Sequence, residues 1–422
     1  MNIEFINKAV YSDVVRKIAE TLATRISMIV VGLVTSILIA RILGPEGRGL
    51  YAVATAVGAF GVQFGNMGLH SSNTYFVAKN RKLLPPLLGN TILVGFCFGG
   101  LLAVFAGAIF SFMPEIAPLH GFLLPLALSW IPVGLIYVLL QSLLIGVKEI
   151  RVYNKVEFFN GFVFVVLIFL LIFIKRITVE SVYFASLVAL MVSILFILWG
   201  LRLLIDKFPA PSIRLFSENI RYGIKAYLAA FFAFIVLRID VLMVNYMLGP
   251  KEAGYYSVAA SMADLVYLLP TTVGMIIFPH LSEMGNDGDR WIYARRVISY
   301  LALALFAVIA MSMFLAKPFV RLLFGKDFLP AVPAFIILGV AIFFYGVNNI
   351  LSIFLASVAF PWFAVNIWIA VAILNIVMNL YMIKVFGILG ASLSSLFCYF
   401  FLMVSQYVYI TRRRVIASPS GF

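Results

Sequence analysis

Residues 43–54 read LGPEGRGLYAVA, and residues 248–259 read LGPKEAGYYSVA. Seven of these twelve positions match without a gap: Leu43/Leu248, Gly44/Gly249, Pro45/Pro250, Gly49/Gly254, Tyr51/Tyr256, Val53/Val258 and Ala54/Ala259. Each copy stands between two long apolar stretches, so the chain reads as a duplicated membrane protein. Internal repeats in a multi-span chain mark transporter folds, with a substrate path where the repeats meet. Locally the motif is a tight turn between antiparallel helices. Glycine ends one helix, proline starts the next, and no ligand contact is needed to explain it.

Outward from the motif, apolar runs fill the chain. It has 422 residues, 64% of them hydrophobic and 11% charged, which no soluble domain of this size would hide. About 20 apolar residues span a bilayer. Twelve such runs are expected, at 22–42, 50–74, 87–111, 121–146, 157–174, 180–203, 224–248, 254–279, 297–316, 332–355, 362–384 and 388–410. Asp13 and Glu20 argue against a signal peptide at the start, where Val10, Val14, Val15 and Ile18 suit an interfacial lead-in helix. The fold class is therefore all-α integral membrane.

The net charge of +14 follows topology rather than nucleic acid. With the N-terminus inside, 20 of the 31 Lys and Arg fall in the even-numbered loops and the tails, and nine in the outer loops. Arg25 and Arg238 lie within spans. The asymmetry predicts both termini in the cytoplasm. Cys97 and Cys398 both sit in apolar runs without ligand spacing, so neither a disulfide nor a metal site is expected.

The stretch 204–221 carries Pro209 and Pro211 and the return of charge, which divides the chain. The reading is a six-helix bundle over 1–203, a cytoplasmic linker over 204–221, a second six-helix bundle over 222–410 and a cytoplasmic tail over 411–422. The motifs stand 205 residues apart, half the chain. A six-span unit is even, so the halves repeat in the same orientation about an axis along the membrane normal.

Chemistry must come from polar groups inside the spans. No P-loop, HExxH, GxSxG or paired Asp-x-Asp is present, and no loop is long enough for a catalytic domain. Counting from the repeat turns at about 1.5 Å per residue, Arg238 lies roughly 15 Å deep, Asp240 roughly 12 Å and Asp264 roughly 15 Å. The three share a depth on adjacent helices, either as a self-neutralising ion pair or as a lining for an anionic substrate or a coupling proton. By the same count Arg25 lies about 27 Å and His70 about 30 Å from their turn, near the cytoplasmic mouth. Arg25 either snorkels or meets a phosphate entering from the inner leaflet. His70, Asn66 and Asn73 form one polar run, and Gln141 lies in span 4. They are candidate substrate-binding groups, with hydrogen bonding between helices as the bland alternative. Asn348, Asn349, Asn375 and Asn379 carry the same ambiguity. Asp264, Tyr267 and Thr271 share a helix face, with Pro270 in the same stretch placed to bend the helix.

These residues carry a resemblance. The run from Ala40 to Ala52 resembles the first-hairpin signature of polysaccharide flippases. The segment from Arg238 through Gly249, followed by Ala253-Gly254-Tyr255-Tyr256-Ser257-Val258-Ala259, is similar to the start of their second half. So are Phe278-Pro279 with Leu281-Ser282-Glu283, and Gly387-Ile388-Leu389-Gly390-Ala391. The family is the Wzx-type branch (O-antigen and other lipid-linked oligosaccharide flippases) of the multidrug/oligosaccharidyl-lipid/polysaccharide exporter superfamily. The resemblance implies two six-helix bundles related by a pseudo-two-fold axis around a central cavity. It implies translocation of an undecaprenyl-diphosphate-linked oligosaccharide to the outer leaflet by alternating access, without ATP, coupled to an ion gradient or the membrane potential. Cavity cations of the family engage the diphosphate, a role that Arg25 and Arg238 fit here. Twelve spans set the chain apart from the lipid II flippase branch, which typically has fourteen.

The implied partners are the lipid-linked oligosaccharide, membrane lipid and a polysaccharide polymerase or assembly complex, with no nucleic acid and no cofactor. The duplication needs no oligomer, so a monomer in the cytoplasmic (inner) membrane is expected. Two other readings stand beside this one. A cation-coupled multidrug exporter of the same superfamily would favour Asp240 and Asp264. A membrane polysaccharide polymerase or ligase would need a larger outer loop than the one around Asp327.

Overall fold

A computed structural model describes residues 3–205, 208–358 and 361–412, with side chains from Ser27 onward. The described residues are helical: α1 (Ile3–Asn66), α2 (Leu69–Lys79), α3 (Leu84–Leu93), α4 (Gly99–Phe112), α5 (Leu123–Gly146), α6 (Ile150–Phe173), α7 (Val179–Arg202), α8 (Ile213–Leu248), α9 (Pro250–Glu283), α10 (Asp287–Leu323), α11 (Ala331–Ser357), α12 (Trp362–Phe386) and α13 (Ile388–Arg412). Among them, eleven segments are long and apolar enough to cross a bilayer. The first of these, Ser27–Asn66, is two of the expected spans run together across a break at Gly44, so the expected twelve are all present.

The repeat motif makes that break. Gly44 has φ 67° and ψ −176°, and Gly249 has φ 92° and ψ 174°. A side chain at either position would be strained there, and glycine is not. Proline follows as the first helical residue, where its missing N–H costs nothing. The later glycine of each motif does not build the turn. A Cβ on Gly49 would lie 1.7 Å from the Pro250 carbonyl oxygen, and one on Gly254 would lie 1.9 Å from the Pro45 carbonyl oxygen. The two copies of the motif therefore press backbone against backbone, each supplying the glycine that receives the other's proline. Small residues allow helices this approach.

Cα packing divides the chain into two units. The first holds residues up to Ile42 together with Gly58–Ile224, and the second holds Leu43–Val57 and the chain from Lys225. In the first unit α5 is the inner helix, packed against α2, α4 and α7. Its Leu135, Leu139, Leu140 and Leu143 are fully buried. The second half of α1 reaches it through Gly58, Gly61 and Gly65, which face Trp130, Ile131 and Leu135. In the second unit α11 is the inner helix, packed against α9, α10 and α13, with Ile350, Leu351, Phe354 and Leu355 buried. The helices α5 and α11 are the fourth spans of their halves.

Three boundaries differ from the sequence reading. Span 2, expected to run through residue 74, stops at Asn66, because Met67 and Gly68 take positive φ (45° and 83°) before α2 begins. The stretch 204–221 is only partly a linker. Residues 208–212 are irregular around Pro209 and Pro211, and α8 starts at Ile213 and runs on for 36 residues. Its first turns belong to the first unit. Ser212 donates its N–H to Asn90 Oδ1 at 2.8 Å, and its carbonyl accepts from Asn90 Nδ2 at 3.0 Å. Asn219 Nδ2 donates to Asn73 Oδ1 at 2.9 Å. The boundary by packing therefore falls at Ile224/Lys225, inside α8. Finally, Arg48 is one of the nine cations that the sequence reading places in the outer loops. It is buried in the second unit, where its Nη2 donates to Ser261 Oγ at 3.1 Å.

Candidate functional site

The second unit holds two polar groups built on α8. Their separation follows from helix geometry: Arg238 and Asp240 are two residues apart, about 200° around the axis. Asp240 points into the unit and is 2% exposed. Its carboxylate accepts from Tyr256 OH of α9 at 2.7 Å, Asn379 Nδ2 of α12 at 2.6 Å and Ser395 Oγ of α13 at 2.6 Å. Asn375 lies one turn before Asn379 and accepts from it at 3.3 Å. Four helices thus converge on one carboxylate through neutral oxygen- and amide-bearing side chains. One amide atom of the group, Asn379 Oδ1, is buried without a partner.

Arg238 points the other way. Its Nη1 lies 3.2 Å from Asp264 Oδ2 of α9, and both side chains are 46% exposed. Two charges left this open at mid-depth are costly against acyl chains, so the surface they share suits water or a polar ligand. Beside the pair, Tyr267 accepts from Asn349 Nδ2 at 3.0 Å. The rings of Tyr267, Tyr345 and Tyr399 follow one another at 4.6 and 4.7 Å between centroids. Thr271 turns its hydroxyl back to the Leu268 carbonyl at 2.9 Å. Pro270 and Pro279 sit inside α9 without ending it.

The first unit separates its candidates into three local groups. Asn66, at the end of α1, accepts from the His70 backbone N–H at 3.0 Å across the break before α2. The His70 ring donates from Nδ1 to the Val138 carbonyl at 3.3 Å and ties α2 to α5. Asn73 donates to Thr91 Oγ1 at 3.3 Å and accepts from Asn219, as above. Gln141 donates to the Glu157 carboxylate of α6, which also accepts from Tyr137 OH at 2.8 Å. Glu157 is an intramembrane acid the sequence reading passed over. It falls at the edge of span 5, seven residues into α6, where a loop charge is ordinary. Asn219 was missed for the same reason, having been placed in the linker. Arg25 lies outside the residues whose side chains are described.

Comparison with known proteins fits this architecture. Residues 38–333 match the family described as polysaccharide biosynthesis protein. An uncharacterised membrane protein of Methanocaldococcus jannaschii is 26% identical over 259 residues, covering 58% of this chain and 51% of that protein. A probable low-salt glycan biosynthesis flippase of Haloferax volcanii is 21% identical over 201 residues, covering 47% of this chain and 42% of that protein. The chain thus spans about half the length of the curated relatives it matches. Among solved structures, a lipid II flippase in an inward closed conformation has a TM-score of 0.76 at 14% identity, over 93% of this chain and 87% of that one. An inward-facing multidrug resistance MATE family transporter of the MOP superfamily gives 0.67 at 14%, over 92% and 95%. At such identities the likeness is one of fold. The fold shared with them is the two-bundle architecture.

Proposed function

The chain belongs to the polysaccharide biosynthesis protein family, and from that premise we propose that it is a flippase for lipid-linked oligosaccharide. The substrate is an undecaprenyl-diphosphate-linked repeat unit, carried from the cytoplasmic to the outer leaflet of the inner membrane by alternating access. Both termini stay in the cytoplasm, as the basic loops require. The single observation that carries the reading is the half-exposed Arg238–Asp264 pair at mid-depth. A sugar diphosphate forfeits its hydration in hydrocarbon. A wet surface bearing a guanidinium supplies forked hydrogen bonds to phosphate in place of that hydration. The polyprenyl tail remains in lipid.

In this reading Asp240 is the coupling element. It is a buried anion surrounded by neutral donors among the described residues, and it sits on the same helix as Arg238. Burying an unpaired charge is expensive, so the carboxylate is suited to take up a proton or a small monovalent cation and release it in the cycle. Arg25 is assigned to the diphosphate at the cytoplasmic mouth, with Asn66, His70, Asn73 and Gln141 along the path of the first half. A polysaccharide polymerase or assembly complex would receive the product, and the carrier acts as a monomer.

The test uses cells depleted of the protein. Complete lipid-linked units should accumulate facing the cytoplasm, with rescue by the wild type and not by Arg25→Ala or Arg238→Ala. A second reading, a cation-coupled drug exporter, draws on the acids Asp240 and Asp264 and the fold shared with a multidrug transporter. Normal outward delivery together with altered dye efflux would favour it and sink the flippase reading.

A further inference from the structure

The Arg238–Asp264 pair is built differently from the buried carboxylate on the same helix. It is joined by one nitrogen–oxygen contact of 3.2 Å, and both side chains stand nearly half open. The buried Asp240, by contrast, holds three donors at 2.6 to 2.7 Å. A guanidinium offers five N–H groups, and the one recorded ion-pair contact engages Nη1. Exposed ion pairs of this kind are weak, about 0.2–1 kcal/mol, and exchange readily. Asp264 balances the charge of Arg238 on the open surface that the two side chains share. The carboxylate therefore neutralises Arg238 without holding it firmly.

We propose that Asp264 is a built-in stand-in for phosphate: it occupies Arg238 in the empty carrier, is displaced by the diphosphate of an arriving prenyl-diphosphate glycan, and displaces that diphosphate again at release. This rests on the flippase reading of the site. Displacement is favourable because a diphosphate carries more charge than a carboxylate and engages the guanidinium in a two-pronged fashion. The freed carboxylate is not stranded. The hydroxyls of Tyr267 and Tyr345, with Tyr399 behind them, lie within its electrostatic reach, and Tyr267 is steadied by Asn349. Return of Asp264 to Arg238 lowers the cost of letting the product go. The residue thus sets affinity and release rate together, acting on the ligand through Arg238 rather than by touching it.

The experiment measures binding of farnesyl diphosphate, with farnesol as the uncharged control, to the full chain in lipid nanodiscs. Asp264→Asn should bind farnesyl diphosphate about 1.4- to fivefold more tightly than wild type, the conversion of a weak exposed pair into a Kd ratio. It should leave farnesol binding unchanged and slow delivery of lipid-linked glycan in cells. Asp264→Glu, which keeps the charge, should retain the wild-type Kd and show that the site folds with a side chain changed there. In an Arg238→Ala background the Asp264→Asn effect should vanish, because the competition has lost its object. Unchanged or weaker diphosphate binding in Asp264→Asn, with Arg238→Ala still reducing it, would overturn the stand-in role and leave the flippase site intact. Diphosphate binding indifferent to Arg238→Ala would overturn the site itself.

Discussion

Arg238 stands ten residues before the end of α8 and Asp264 fourteen residues after the start of α9, on consecutive helices, and the two meet at 3.2 Å. Helical rise is constant, so depth can be counted along a sequence; that count puts Arg238, Asp240 and Asp264 together, and the structure separates Asp240 from the ion pair. Asp240 was legible only in depth. Its partners Asn379 and Ser395 lie more than a hundred residues downstream, and nothing in the spacing of Asn375 and Asn379 says which helix they face. The two acids should therefore respond differently to removal. Asp240→Ala leaves three buried donors without their acceptor and should cost at least about 2 kcal/mol of stability. Asp264→Ala removes an open pair and should cost no more than about 1 kcal/mol. Thermal unfolding of the two variants in detergent compares them directly, and equal losses would contradict this account of the buried group.

At the scale of helices and turns, the Leu-Gly-Pro motif was readable because glycine and proline have few uses in an apolar chain. The backbone at Gly44 and Gly249 takes the positive φ such a turn needs. The later glycine was not readable: nothing local reveals that Gly254 lies under the carbonyl of Pro45. Gly254→Ala should force the turns apart, at a cost typical of overpacking, about 1–3 kcal/mol. Gly100→Ala, where the added methyl meets nothing within 4 Å, is the matched control and should be neutral or mildly stabilising. A melting temperature for Gly254→Ala no lower than that of Gly100→Ala would count against the close approach. The break at Met67-Gly68 escaped notice because the polar run from Asn66 to Thr74 continues the helical pattern across it.

Across the whole molecule, the twelve spans follow from hydropathy, which is set by the bilayer rather than by packing, and the proposed orientation rests on where lysine and arginine gather. A fluorescent reporter fused after the last residue should fluoresce in the cytoplasm, and an alkaline phosphatase fused there should be inactive. An active phosphatase would invert the proposed path. Packing between distant helices leaves no comparable mark, which is why the central positions of α5 and α11 had to be seen.

The reciprocal seating of Gly49 on Pro250 and of Gly254 on Pro45 has the form of an isologous interface, in which one residue meets another and the second meets the first in return. In a dimer of identical half-length chains, one glycine and one proline would build both contacts, and any mutation would strike twice. Fusion into one chain releases that bond of identity. At the 205-residue spacing of the motifs, Arg238, Asp240 and Asp264 correspond to Leu33, Thr35 and Ala59. One half carries uncharged residues where the other carries charge, a division of labour that no pair of identical subunits could have.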